Sequence, residues 1–115
     1  MPLLFVYGTL KRGFSNASEL AGAAFARKAA TATGYGLFSV SGYPALARRG
    51  DGVVHGELYV VSDAQLARLD VFEEVPHRYR RESIVLDDGS HAEAYVVPAD
   101  RVDGFTRISS GEFSE

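Results

Sequence analysis

The feature that most constrains this chain is its opening, where the apolar run Leu3-Leu4-Phe5-Val6-Tyr7 stops abruptly at Gly8-Thr9-Leu10-Lys11-Arg12-Gly13. Five consecutive apolar residues, too few for a helix and ended by glycine, predict a short strand buried on both faces. Such a strand delivers a sharp turn directly from the core. With Gly8 and Gly13 at its ends, that turn is either an ordinary chain reversal or a place where several backbone N–H groups converge on one small volume. The second arrangement holds a carboxylate or a developing oxyanion.

Length and charge narrow the classes. The 115 residues, 46% of them hydrophobic, predict one globular domain over residues 1–115, with no repeat and no linker. The charges are interspersed, with 12 basic against 15 acidic side chains, so no stripe exists for a nucleic-acid backbone. Arg78-Tyr79-Arg80-Arg81 is the one basic cluster; in a strand its members alternate between faces, which makes Arg80 a half-solvated edge charge. No run approaches the roughly 18 apolar residues of a membrane span, so a soluble, cytoplasmic protein is expected. The absence of cysteine removes disulfides, zinc–thiolate sites and thiol nucleophiles together. His55, His77 and His91 lack metal-ligand spacing, Gly34-Tyr35-Gly36 is too short for a nucleotide loop, and no serine sits in a nucleophile elbow.

Periodicity predicts a strand over 3–7, a short helical turn over Ala17–Ala23, and extended chain through much of 25–40 with a glycine kink. A short strand is expected from Tyr43, ended by Arg48-Arg49-Gly50-Asp51-Gly52, and another over Val53–Val61. Ser62 with Gln65 three residues later forms a capping box, and Leu66, Leu69 and Phe72 follow at helical spacing. Tyr79–Leu86 and His91–Val97 flank Asp87-Asp88-Gly89-Ser90 as a hairpin, while residues 98–115 carry few signals. The architecture expected is a mixed α/β (α+β) domain, a small curled β-sheet or β-barrel with one or two flanking helices.

On a helical wheel Glu73 falls between Leu66 and Leu69, at the centre of the apolar stripe. A buried carboxylate is costly, so this one either escapes to solvent at a helix end near Pro76 or serves a site that tolerates the cost. In a pocket, desolvation would raise its pKa and make it a proton shuttle near neutral pH, which marks Glu73 as the general acid/base candidate. Lys11 and Arg12 read as solvated loop charges or as partners for a substrate carboxylate. The pair Glu57 and Tyr59 shares one strand face whose direction the sequence leaves open.

Several segments together resemble the γ-glutamylcyclotransferase-like superfamily, in its short γ-glutamylamine cyclotransferase and AIG2-like branch. They are Val6-Tyr7-Gly8-Thr9-Leu10-Lys11-Arg12-Gly13 with Asn16, Gly42-Tyr43-Pro44-Ala45-Leu46, Gly56-Glu57-Leu58-Tyr59, and Leu69-Asp70-Val71-Phe72-Glu73 followed by Tyr79-Arg80-Arg81. The resemblance implies a small barrel with Glu73 as catalytic residue, facing a substrate-holding loop Tyr7, Gly8, Thr9 and Leu10, with Tyr79 and Arg81 near the pocket. It implies a small-molecule γ-glutamyl substrate cyclised to 5-oxoproline, with no metal or cofactor required. The chain departs from the pattern where Glu74 replaces a common glycine, and where Phe113 stands in place of a C-terminal tryptophan. A non-catalytic ligand-binding module of the same fold is the alternative, and a hydrolase releasing free glutamate is a third.

Overall fold

The computed structural model describes residues 1–115. Eight strands, β1 (Leu3–Val6), β2 (Ala24–Ala30), β3 (Tyr35–Val40), β4 (Tyr43–Gly52), β5 (His55–Val60), β6 (Arg80–Val85), β7 (His91–Val96) and β8 (Thr106–Arg107), form one curled sheet with a single α-helix, α1 (Asp63–Phe72). The path runs β2-β5-β1-β7-β4-β3-β8, and β6 pairs along the free side of β7. Because β7 meets β1 in parallel near Glu93 and β4 in parallel near Val96, the sheet must bend at this strand. An isolated bridge between Thr31 and Leu86 ties the end of β2 to the end of β6.

The opening strand is buried on both sides, as its unbroken apolar run demands. Leu4 and Val6 belong to the core packed under α1, whereas Phe5 and Tyr7 belong to the core inside the curl of the sheet. The period of two along β1 therefore joins the two hydrophobic layers.

Three elements differ from the sequence expectation. The residues Arg48 to Gly52 do not end β4: Gly36 pairs with Ala47 and Tyr35 with Gly52, so Arg48 to Asp51 are extruded as a bulge within one long strand. The glycine and charges that read as a terminator are what an outward bulge requires. The helical turn after Asn16 is a 3-10 segment of only four residues, Ala17–Leu20. In the weakly marked C-terminal stretch, a second 3-10 turn (Ala99–Val102) leads to β8, which pairs with β3. No helix is long and apolar enough to cross a membrane.

Candidate active site

Local chemistry fixes both walls of the site. At the start of α1, the Ser62 hydroxyl accepts from the Gln65 N–H (3.0 Å) and the Gln65 side chain accepts from the Ser62 N–H (2.7 Å), completing the capping box. Leu66 and Leu69 bury the inner face, and the same stripe one turn later carries Glu73. The helix stops there in a Schellman motif: the Glu74 N–H donates to Val71 O (3.1 Å) and the Val75 N–H to Asp70 O (2.9 Å). This closure needs a left-handed residue at position 74, and Glu74 takes it with φ 55°. A glycine at this position would meet the requirement without strain. Glu74→Gly is expected to raise stability by about 1 kcal/mol, since the left-handed penalty exceeds the worth of the exposed Glu74–Arg78 pair it removes; a urea midpoint no higher than the parent's would contradict this.

Facing the helix end, the turn after β1 is closed by the Lys11 N–H donating to Gly8 O (3.1 Å) and held by side chains around it. The Asn16 amide donates to the Thr9 hydroxyl (2.9 Å), and Glu57 accepts from the Arg12 N–H (2.9 Å) and the Tyr59 hydroxyl (3.1 Å). Lys11 is buried, donating through Nζ to Phe113 O (2.7 Å), so it is a structural tie rather than a solvated loop charge. Glu57 likewise braces the turn from behind and does not line the pocket beside Glu73. The backbone N–H groups of Gly8, Thr9 and Leu10 have no acceptor within the protein. Phe113 packs on Phe14 and lines a separate cleft, away from this pocket.

Between these walls lies a cavity of about 310 Å³. Six of the seven residues singled out from the sequence line it: Glu73, Tyr7, Gly8, Thr9, Leu10 and Tyr79. Arg81 does not. Its guanidinium is bidentate on Asp70 (2.9 and 3.2 Å) and also donates to Glu93 (2.9 Å). Asp70 in turn accepts from the Tyr95 hydroxyl (2.8 Å), and Tyr95 O accepts from the Tyr7 hydroxyl (2.6 Å). Arg81 thus pins the last turn of α1 to β7 and acts on the pocket only through Tyr95. The family resemblance implied a place for Arg81 near the pocket; its ion pairs with Asp70 and Glu93 hold it outside the lining instead.

The Glu73 carboxyl accepts no hydrogen bond from the protein and faces the cavity. Burial is the main cause that raises its pKa to about 7; Arg78 pulls it down and Glu74 pushes it up. Burial likewise raises the Tyr79 hydroxyl to about 12 and lifts Tyr7 and Tyr95 well above the ordinary tyrosine value. All three stay protonated at neutral pH, and each donates to a fixed protein acceptor: Tyr79 to Pro44 O (2.8 Å), Tyr7 to Tyr95 O, Tyr95 to Asp70. They build the wall, leaving Glu73 as the one free acid/base group in it. The sequence reading missed Tyr43, Pro44, Phe72, Arg78 and Tyr95 as lining residues. The Gly42-Tyr43-Pro44 motif was a usable signal for two of them. Phe72, expected in the core stripe, is 38% exposed at the pocket mouth.

The family model for γ-glutamyl cyclotransferase, AIG2-like proteins matches residues 4–115. A Vibrio cholerae relative is 43% identical over 82 residues, 71% of this chain and 70% of its own. The γ-glutamylcyclotransferase family protein YtfP of Escherichia coli is 36% identical over 110 residues, 96% of this chain and 94% of its own. Among solved structures, an AIG2-like protein from Mus musculus superposes with a TM-score of 0.83 at 26% identity, covering 99% of this chain and 88% of that one. The match runs through the turn after β1, the helix ending in Glu73 and the β6–β7 hairpin, and on it this chain belongs to the γ-glutamyl cyclotransferase, AIG2-like family.

Proposed function

We propose that this chain cyclises the γ-glutamyl group of a γ-glutamyl amine or γ-glutamyl amino acid, releasing 5-oxoproline and the free amine, with Glu73 as the single general acid/base. The observation that carries the reading is the pairing, across one cavity, of a desolvated carboxyl with no protein partner and a turn whose N–H groups lack a protein acceptor.

Ionised Glu73 takes a proton from the substrate's α-ammonium group. The freed α-nitrogen attacks the γ-carbonyl carbon, forming the C–N bond of a five-membered lactam, and the resulting oxyanion is received by N–H groups of the Gly8–Leu10 turn. Collapse of the oxyanion breaks the bond to the departing nitrogen as Glu73 returns the first proton to it. Glu73 then takes the second proton from the new lactam nitrogen and passes it to the freed amine, which leaves as an ammonium ion while the carboxylate is regenerated. No water is consumed. The main requirement is a folded-back substrate, and a pocket walled by Tyr7, Pro44, Tyr79 and Tyr95 supplies the confinement that intramolecular attack needs.

Two measurements test this. Mass spectrometry of the product separates 5-oxoproline from the free glutamate that a hydrolase would release. The pH dependence of kcat/KM is expected to rise with unit slope and level off near pH 7, because the base must be ionised and its pKa is about 7. An acid limb in the ordinary carboxylate range, near pH 4.5, would overturn the role given to Glu73.

A further inference from the structure

Beyond the Glu73 cavity lies a second depression of about 240 Å³, and the two share a wall made by Tyr43, Arg78 and Tyr79. Tyr43 is 51% exposed and the Arg78 side chain 42% exposed, so this wall forms the rim, while Glu73 sits deeper. The Arg78 guanidinium lies 4.1 Å over the centre of the Tyr43 ring and donates one N–H to Glu74 (3.2 Å). A guanidinium placed over an aromatic ring keeps N–H groups beyond the one given to Glu74, a donor set suited to a carboxylate. Within the first cavity Arg78 is the only cation and Glu73 the only acid. The second depression adds Arg101 and His77, with no acidic side chain, over an apolar floor of Val40, Ala45 and Val97. Arg101 is fixed there by donating to the carbonyls of His77 (3.1 Å) and Arg78 (2.7 Å).

We infer that Arg78 is a specificity-determining residue that reads a carboxylate on the departing amine. The preferred substrates are then γ-glutamyl conjugates whose amine carries both an apolar body and a carboxylate, over conjugates of neutral or cationic amines. This inference rests on the cyclotransferase reading above. The glutamyl end must reach Glu73 for its α-ammonium to be deprotonated, which turns the departing amine toward the rim. There an apolar body meets the Val40, Ala45 and Val97 floor, a carboxylate meets Arg78, and a cationic amine meets like charge from Arg78 and Arg101.

The test is a matched pair: γ-glutamyl-leucine against γ-glutamyl-isoamylamine, which differ only in the leucine carboxylate, with γ-glutamyl-putrescine as the cationic arm. The intact protein is expected to favour the leucine conjugate in kcat/KM by about tenfold or more over either amine, as one charge-assisted hydrogen-bonded pair supplies. In Arg78→Gln the leucine-to-isoamylamine ratio is expected to fall to within about twofold of unity, with Arg78→Lys in between. A ratio near one in the intact protein, or one unchanged in Arg78→Gln, overturns the inference. Absence of 5-oxoproline from every conjugate refutes the cyclotransferase reading instead. In that case calorimetric Kd values for the same pair on Glu73→Gln, with and without Arg78→Gln, decide the carboxylate preference by the same ratios.

Discussion

Replacing Glu73 by glutamine is expected to lower 5-oxoproline formation by roughly 10²-fold or more and, at pH 8, to make the protein more stable than its parent. Both effects come from one fact: a carboxyl occupies the leucine position of an otherwise apolar stripe and has no protein partner there. Glutamine matches its volume and breaks no side-chain hydrogen bond, so the local structure is kept while proton transfer is lost. The stability effect has a defined sign. The folded-state pKa, about 7, lies above the ordinary value of 4.5, so between these values the folded state binds the proton more tightly than the unfolded chain. Stability is full below about pH 4.5 and falls as pH rises toward 7. The rise corresponds to about 3 kcal/mol, an upper figure because one side of the carboxyl opens on the solvent-filled pocket. Urea unfolding of parent and variant should therefore give curves that coincide near pH 4 and separate by about 1–3 kcal/mol at pH 8. Equal stability at both pH values would mean that Glu73 is not desolvated.

The second large effect is expected from Gly8→Ala. A Cβ on Gly8 would stand 2.6 Å from Cγ of Pro44, well inside contact distance. Gly8 does not use the left-handed backbone region, so its need for glycine comes from this approach alone. Pro44 cannot yield freely. It is buried in β4, pairs with Ser39, and its carbonyl receives the Tyr79 hydroxyl. Relief must displace either the turn or the first residues of β4, and both are pocket walls. A displacement near 1 Å is enough to cost about 10²-fold in kcat/KM, with about 1–3 kcal/mol of stability lost to overpacking. A variant with kcat/KM within threefold of the parent would show that the turn does not position the substrate.

Much of this arrangement is legible in the sequence where one residue has one local reason. The capping box, the two-faced burial of β1 and the β6–β7 hairpin follow from spacing and turn chemistry, and Glu73 is visible because it breaks a pattern. What is not legible depends on partners distant in the chain. Arg81 belongs to Asp70 and Glu93, Lys11 to the carbonyl of Phe113, and Glu57 to the backbone of Arg12, pairings fixed only when the sheet curls. The bulge at Arg48 to Asp51 is hidden for another reason: glycine with charged neighbours signals a strand end and an extruded bulge alike. The rim residues Tyr43 and Arg78 lie 35 positions apart, and nothing in either local pattern announces that they meet.

The most direct test of the central claim is quantitative mass spectrometry of both products after incubation with a panel of γ-glutamyl amines, γ-glutamyl amino acids and glutathione, with Glu73→Gln in parallel. The expected result is 5-oxoproline and free amine in equal amounts from at least one donor, suppressed roughly 10²-fold or more in the variant. Ligand binding without 5-oxoproline from any donor, or product formed equally well by Glu73→Gln, would contradict it, the former leaving a binding module built on the same pocket.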